Sequence, residues 1–262
     1  MTGPAQPDQT PPPDIVEPRL QLARGRWRAE TFRAVLDAVA RPGTPQRIAA
    51  SHYTYPASSG PELGRKLDRL FHRYEDRPRD AGGGVGRLCD DTAPLSIAAT
   101  GALCVLSDKD TPLWLSPEVD APGTRRLLQR QSDVVFAQTA SRAAFLAGPW
   151  PSLAAALPEA RRGAAERPDL SATLIIEAAR VTTTPRTNAK GFLLSGPGVP
   201  PEAPKEIWIE GVDNRLSALM AENARAFPLG VDVLVAAGAR IVGLPRSIRA
   251  IALRRPGRAL SA

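Results

Sequence analysis

The stretch AFPLGVDVLVAAGARIVGLPRS, Ala226 to Ser247, gives the clearest indication of the fold. Its two apolar runs, VDVLVAA and RIVGLP, flank Gly238, a pattern typical of a β-hairpin. Asp232 stands at the start of the first run, and Arg246 directly follows the proline that ends the second. A buried charge is tolerated where an opposite charge neutralises it. We therefore predict that Asp232 and Arg246 form a salt bridge that fixes the hairpin.

Composition indicates a globular protein with an ordinary core. The chain has 262 residues, of which 43% are hydrophobic and 23% charged, with a net charge of +7. No run of apolar residues approaches the roughly 18 needed to span a membrane. The basic residues are spread along the chain without a nucleic-acid recognition motif, so nucleic-acid binding is not expected. Cys89 and Cys104 have apolar neighbours, which favours reduced core thiols and a cytoplasmic location.

The chain divides into a domain and two tails. Residues 1–24 are rich in proline and are expected to form a disordered tail, residues 25–252 a single α/β domain, and residues 253–262 a C-terminal tail. In the domain, TFRAVLDAVARPG predicts a helix with Thr31 as its N-cap and an apolar stripe. The stripe comprises Phe32, Val35, Leu36 and Val39.

Further helices and strands alternate along the domain. Residues 92–106 predict a helix capped by Thr92, and residues 212–226 predict another. Strands are expected at 113–115, 133–138, 171–178 and 191–199, whereas residues 148–168 read as an exposed connection. This mixture favours a layered α/β fold in which helices flank a mixed sheet.

Two groups of charged residues are open to more than one interpretation. Asp108 and Asp110 could form a carboxylate pair for acid–base chemistry or Mg²⁺, but a turn stabilised by an aspartate side chain before Pro112 explains them as well. Arg33 and Arg41 lie away from the apolar stripe, where they could contact a ligand or a partner, or simply face water.

Several enzyme classes lack their characteristic residues. A pyridoxal-phosphate enzyme needs a protected lysine for its imine, and the four lysines all lie in polar or proline-rich segments: Lys66, Lys109, Lys190 and Lys205. The chain has no G-x-S-x-G elbow of a serine hydrolase. The AGGGVG segment at Ala81–Gly86 lacks the Lys-Ser/Thr of a phosphate-binding P-loop. No cofactor or metal is predicted.

Four stretches taken in order resemble one protein family. They are FRAVLDAVARPG (Phe32–Gly43), LSDKDTPLWL (Leu106–Leu115), LLSGPGV (Leu193–Val199), and FPLGVDVLV with GLPR (Phe227–Val235 and Gly243–Arg246). Together they are similar to the PhnH subunit family of the bacterial carbon–phosphorus (C–P) lyase core complex. The resemblance extends from about residue 25 to residue 250. The N-terminal tail and the Tyr55–Gly86 region depart from the compact form of the family.

The resemblance implies a fold, partners and a role. Family members adopt a fold similar to pyridoxal-phosphate-dependent transferases without the cofactor, and they form homodimers. They join PhnG, PhnI and PhnJ in a complex that makes ribose 1-phosphonate 5-triphosphate from ATP and an alkylphosphonate during phosphonate catabolism. The expectation is therefore a structural or shared-site subunit, inactive alone, of a transferase complex.

Two further expectations accompany this interpretation. Trp150 and Trp208 are candidates for an exposed dimer surface, and Arg246 is a candidate for contact with an anionic ligand or with a partner's carboxylate. The alternative function is a free-standing nucleotide- or phosphate-binding enzyme of transferase-like fold.

Overall fold

The hairpin forms part of a six-stranded mixed sheet. The computed structural model describes residues 13–49 and 95–253. Strands β8 (Asp232–Ala237) and β9 (Arg240–Leu244) pair antiparallel. Gly238, which follows β8, has a φ of +58°, a left-handed conformation that glycine adopts at little cost because it lacks a Cβ. The predicted hairpin is confirmed.

Parallel strands make up most of this sheet. Strands β2 (Leu113–Leu115), β3 (Phe145–Pro149) and β4 (Thr173–Glu177) run parallel to one another and to β8. The short strand β1 (Gln46–Arg47) pairs antiparallel with β9. The strand order is β1-β9-β8-β4-β3-β2, so the hairpin and β2 lie towards opposite edges.

Helices cover both faces of the sheet. Helices α1 (Pro13–Ala40), α2 (Ile97–Leu106) and α3 (Pro122–Ser132) share one buried apolar cluster with the sheet. Helices α4 (Trp150–Ala156) and α5 (Asn214–Ala226) pack in a second cluster on the opposite face. No helix within the described ranges is both long and apolar enough to cross a membrane.

A second, smaller sheet lies on the same side as α4 and α5. It is antiparallel, with the strand order β10-β6-β7-β5. Its strands are β5 (Arg180–Thr182), β6 (Lys190–Ser195), β7 (Lys205–Glu210) and β10 (Arg249–Ala252). The predicted α/β class, with helices flanking a mixed sheet, is confirmed; the second sheet was not predicted.

The central strands contribute to both apolar clusters by simple alternation. Leu174 and Ile176 of β4 lie in the cluster with α4 and α5, and Ile175 between them lies in the cluster with α1 to α3. Successive side chains of a strand point to opposite faces. A strand covered on both sides therefore reads as the unbroken apolar run found in the sequence.

Helices α1 and α2 begin at residues other than those predicted. Helix α1 begins at Pro13 and crosses the expected boundary after residue 24, so Thr31 is not its N-cap but a buried residue inside the helix. Thr92 lies outside the described residues. Helix α2 begins at Ile97, and the Ser96 Oγ caps it by accepting a hydrogen bond from the Ala99 N–H at 3.2 Å.

Three local expectations were wrong. Residues 148–168 are not a mere exposed connection, because they complete β3 and form α4, whose Trp150 and Leu153 are buried. Residues 133–138 form no strand; Phe136 makes only an isolated bridge to Leu113. Trp150 and Trp208 are 1% and 4% exposed, so neither belongs to a surface for a partner.

Candidate functional site

Three of the four family-like stretches meet at the C-terminal end of α1. Gly243 of the GLPR stretch lies against the backbone of α1, and its carbonyl accepts a hydrogen bond from the Gly43 N–H at 3.4 Å. Gly198 of the LLSGPGV stretch approaches the backbone of Ala40. We call this meeting point the motif junction. Residues remote in sequence thus fix the position of α1 on the two sheets.

Glycine is required at the motif junction because no side chain fits. A Cβ at Gly243 would lie 2.5 Å from the Ala38 carbonyl oxygen, and one at Gly198 would lie 2.7 Å from the Ala40 carbonyl oxygen. Real Cβ atoms do not approach other heavy atoms so closely. These two glycines therefore allow α1 to pack directly on β9 and on the turn after β6.

Asp232 and Arg246 form the predicted salt bridge. The Asp232 carboxylate accepts hydrogen bonds from the Arg246 backbone N–H at 2.9 Å and from its Nε at 3.2 Å. It also accepts one from the Arg246 Nη2. The Arg246 side chain is 14% exposed and that of Asp232 is 34% exposed. The pair joins the start of β8 to the exit of β9.

Arg246 also binds two other segments of the chain. Its Nη1 donates to the backbone carbonyls of Pro168 at 3.0 Å and Pro228 at 3.1 Å, and its Nη2 donates to the Ser171 hydroxyl. A guanidinium has five N–H donors, and these contacts together with Asp232 engage all of its nitrogens. We call this arrangement the arginine clamp. Its geometry explains a structural role, and a ligand or interface role for Arg246 stays a prediction.

Asp108 and Asp110 lie together in an exposed turn near the far edge of the sheet. The Asp108 Oδ1 accepts hydrogen bonds from the Asp110 N–H at 2.9 Å and from the Thr111 hydroxyl at 2.7 Å. The Thr111 hydrogen bond is the main reason that the pKa of Asp108 is lowered. Asp110 pairs instead with Lys109 at 2.7 Å. This geometry is that of the aspartate-stabilised turn.

Arg33, on α1, and Arg41, directly after its last residue, differ in their surroundings. Arg41 forms an exposed ion pair with Asp37 at 2.7 Å. Arg33 is exposed on the water-facing side of the helix. Of the predicted apolar stripe, Val35 is buried, whereas Phe32, Leu36 and Val39 are exposed. The other buried residues of α1 are Trp27, Thr31 and Ala38.

The three lysines that the structure describes are not placed for imine formation. Lys66 lies outside the described residues. Lys109 is 75% exposed, and Lys190 is half-buried at the start of β6. Lys205 donates a hydrogen bond to the Thr44 hydroxyl at 2.6 Å, in the motif junction. Within the described ranges, no group of three or more His, Cys, Asp or Glu side chains could hold a metal ion.

A contact that was not predicted from the sequence lies at the carboxyl ends of the parallel strands. Glu177, the last residue of β4, accepts a hydrogen bond from the Ser96 N–H at 3.0 Å. A carboxylate is stabilised at a helix N-terminus by the free N–H groups and the helix dipole. This edge is where open α/β sheets commonly bind ligands. The signal in the sequence was a charged residue at the end of an apolar strand.

A second missed feature is a groove of about 450 Å³ between α4 and α5. Its charged lining comprises Arg162, Arg215, Arg225 and Glu222. Arg162 lies 3.5 Å from Glu222 and Arg215 lies 2.8 Å from Asp213, while Arg225 has no ion pair among the described residues. The groove therefore has excess positive charge.

Asp213 stands at the start of α5, two residues before Arg215 of the groove lining. It caps α5, accepting a hydrogen bond from the Arg215 N–H at 2.9 Å, and it accepts another from the Trp150 Nε1 at 3.0 Å. Hydrogen bonding from the Arg215 side chain is the largest cause that lowers the pKa of Asp213 to about 2. The carboxylate thereby ties α5 to the buried start of α4.

The six candidate residues do not form one site. Asp232 and Arg246 lie together in the arginine clamp, Asp108 and Asp110 lie in their turn near β2, and Arg33 lies on α1 with Arg41 directly after it. The structure instead brings three of the family-like stretches together at the motif junction. The architecture is a mixed α/β sheet with a second antiparallel sheet against one face.

Comparison with known proteins identifies the family. The model of the family described as "Bacterial phosphonate metabolism protein (PhnH)" matches residues 83–250, well over half of the chain. The chain belongs to this family. It is also 26% identical over 171 residues to the alpha-D-ribose 1-methylphosphonate 5-triphosphate synthase subunit PhnH of Rhizobium meliloti (strain 1021). That match covers 63% of this chain and 80% of the relative.

Proposed function

We propose that this chain is a subunit of the C–P lyase core complex. In this role it supports formation of ribose 1-phosphonate 5-triphosphate from ATP and an alkylphosphonate, beside PhnG, PhnI and PhnJ. The observation that carries the proposal is the match to a synthase subunit over 80% of that relative's length. The family's description as a phosphonate metabolism protein supports the same role.

Within the complex we assign the chain a structural or shared-site role. The arginine clamp and the Asp108 turn use their charged groups in contacts within the chain. A catalytic acid, base or nucleophile must instead reach a reacting group. We further propose that the fold is related to pyridoxal-phosphate-dependent transferases, that the chain forms a homodimer, and that it acts in the cytoplasm.

Reconstitution of the synthase reaction tests this proposal. The purified chain is incubated with ATP and methylphosphonate, alone and with purified PhnG, PhnI and PhnJ, and adenine release is measured. We expect no reaction from the chain alone and adenine release that requires the chain when the other subunits are present. Release by the chain alone, or full release by the other three without it, would refute the assignment.

The groove between α4 and α5 supports one alternative, a free-standing nucleotide- or phosphate-binding enzyme. Arginines recognise phosphate through their planar fork of donors, and the groove has three of them. Calorimetry with ATP, comparing the wild type with Arg225→Gln, tests this alternative. ATP binding by the chain alone that weakens in Arg225→Gln would support it. No binding at millimolar ATP would exclude it.

A further inference from the structure

Helix α1 presents large apolar side chains to water as well as to the core. Phe32, Leu36 and Val39 are 44%, 50% and 40% exposed. Their spacing of four and then three residues places them on one stripe of the helix. An exposed contiguous apolar patch marks an interaction surface more often than an isolated exposed side chain does. This stripe is continuous for two helical turns.

Two small residues extend the stripe towards the N-terminal end of the helix. Gly25 and Ala29 are exposed, and with Phe32, Leu36 and Val39 they repeat the alternating spacing of four and three that helix–helix seams use. A Cβ at Gly25 would have no heavy atom within 4 Å. The N-terminal half of the stripe therefore has small residues with open space above them, and the C-terminal half has large side chains.

We propose that α1 of one copy packs antiparallel against α1 of a second copy, with this stripe as the seam. The inference rests on the proposed homodimer and names its surface. In this arrangement Leu36 of each copy fills the space above Gly25 of the other, and Phe32 lies against Ala29. Large side chains thus meet small ones at each level, as close packing requires.

Charged residues along one flank of the stripe also form complementary pairs in this antiparallel packing. Arg26, Glu30, Arg33 and Asp37 follow one another on this flank, and the same flanks of two antiparallel helices face each other. The proposed packing brings Arg33 close to Glu30 of the other copy, and Asp37 close to Arg26. Arg26, Glu30 and Arg33 form no ion pair with other described residues. They are therefore available to a partner.

The symmetry of the stripe identifies the occupant as a second copy. In each proposed pair, the two residues lie equally far from Thr31 along the helix, to within one residue. The pairs are Leu36 with Gly25, Phe32 with Ala29, Arg33 with Glu30, and Asp37 with Arg26. A symmetric dimer needs this self-complementarity, because each residue must fit the same surface of its partner. A different partner would impose no such relation.

Sedimentation of the purified chain tests the seam. We expect the wild type to be dimeric at tens of micromolar, the range in which ordinary dimers stay associated. Leu36→Glu should be monomeric with an unchanged circular dichroism spectrum, because Leu36 is half exposed within its own chain. As the matched control, Ile251→Glu alters an equally exposed residue on β10 and should leave the dimer intact.

Charge reversal adds a test that depends on orientation. Arg33→Glu places like charges opposite each other twice in the dimer and should weaken association about tenfold. Adding Glu30→Arg to the same chain exchanges the two charges and should restore wild-type association. Gly25→Leu should weaken the dimer as well, by filling the space that Leu36 of the other copy needs.

The results that overturn the proposal differ from those that overturn the proposed function. A monomeric wild type, a dimeric Leu36→Glu, or failure of the double charge exchange to restore association would refute the seam. If the wild type is monomeric and Leu36→Glu also fails to bind PhnG, PhnI or PhnJ, the stripe serves another subunit instead. These measurements use the chain alone or binding, so they remain informative whatever the synthase assay gives.

Discussion

Asp232 and Arg246, fourteen residues apart, join four segments of the chain through one guanidinium. The arginine donates to the Asp232 carboxylate, to two backbone carbonyls and to the Ser171 hydroxyl. Asp232 stands opposite Thr173 in the sheet register, so the clamp lies where β4 and β8 both begin. It holds the amino-terminal edge of the parallel strands, opposite the edge where such sheets usually bind ligands.

The first prediction concerns this pair. Arg246→Ala should lower the free energy of unfolding by about 3 kcal/mol, because it leaves the partly buried Asp232 carboxylate without its charged partner. Asp232→Asn should cost about 2 kcal/mol, since Asp232 is one-third exposed and an amide still accepts hydrogen bonds. The double variant should cost at least about 1 kcal/mol less than the sum. Urea denaturation at neutral pH measures all three values.

An interface role for Arg246 makes a different prediction. If the arginine contacts another subunit or a phosphate, Arg246→Ala should fold almost normally but fail to support growth on methylphosphonate. Additive and negligible stability losses would exclude the clamp. Normal growth of a folded Arg246→Ala strain would exclude the interface role.

The second prediction tests the motif junction. Gly243→Ala should destabilise the protein by about 1–3 kcal/mol, because its Cβ would overlap the backbone of α1. Gly25→Ala is the control, since it also adds one methyl group but meets open space within its own chain. Both variants are made in the Leu36→Glu chain, in which the proposed seam at Gly25 cannot form. It should stabilise by up to about 1 kcal/mol. Thermal denaturation at a fixed protein concentration compares them, and equal effects would contradict the packing described.

The sequence predicts those contacts that form between residues close together in the chain. The hairpin follows from two apolar runs around Gly238, and the salt bridge follows from the hairpin, because the turn brings Asp232 and Arg246 together. The contact between Glu177 and Ser96 could not be foreseen, since these residues are 81 positions apart and their meeting depends on how the helices pack. The motif junction depends in the same way on three distant segments.

Periodicity alone did not identify the buried face of α1. Apolar residues occupy both sides of this helix, so the spacing of Phe32, Leu36 and Val39 predicts a stripe without indicating what covers it. The core selects Trp27 and Val35 instead, because that side faces α2 and the hairpin. Helix α4 escaped prediction for another reason: seven residues with a proline near the start give too short a pattern.

The third prediction concerns acid stability. The pKa of Asp213 is lowered from its ordinary value of 3.8 to about 2, mainly by hydrogen bonds from Arg215. The stabilisation from this carboxylate is therefore present above about pH 4 and is lost as the pH falls towards about 2, where the folded protein also takes up the proton. Asp213→Asn keeps an N-cap acceptor but cannot titrate.

Urea midpoints measured from about pH 5 down to about pH 3 should fall less steeply for Asp213→Asn than for the wild type. The two proteins should differ most at neutral pH and converge in acid. Parallel curves would show that Asp213 has the same pKa in the folded and unfolded chains, contrary to the geometry described.

The fourth prediction is that the chain takes no pyridoxal phosphate. Incubation with the cofactor should give no visible imine absorbance, and borohydride should trap no adduct on Lys66, Lys109, Lys190 or Lys205. Lys109 is exposed and Lys205 is engaged with Thr44, whereas an imine-forming lysine needs a protected pocket. A stoichiometric adduct on one lysine, found by peptide mass mapping, would overturn the assignment to a structural or shared-site subunit.

Affinity purification shows most directly whether this chain is a subunit of a phosphonate-processing complex. The tagged chain is expressed together with PhnG, PhnI and PhnJ in a phosphate-starved host, purified through its tag, and passed over a gel-filtration column. We expect one peak that contains all four proteins in a fixed ratio. Elution of the tagged chain alone, while the other three elute together without it, would show that the chain is not a subunit of this complex.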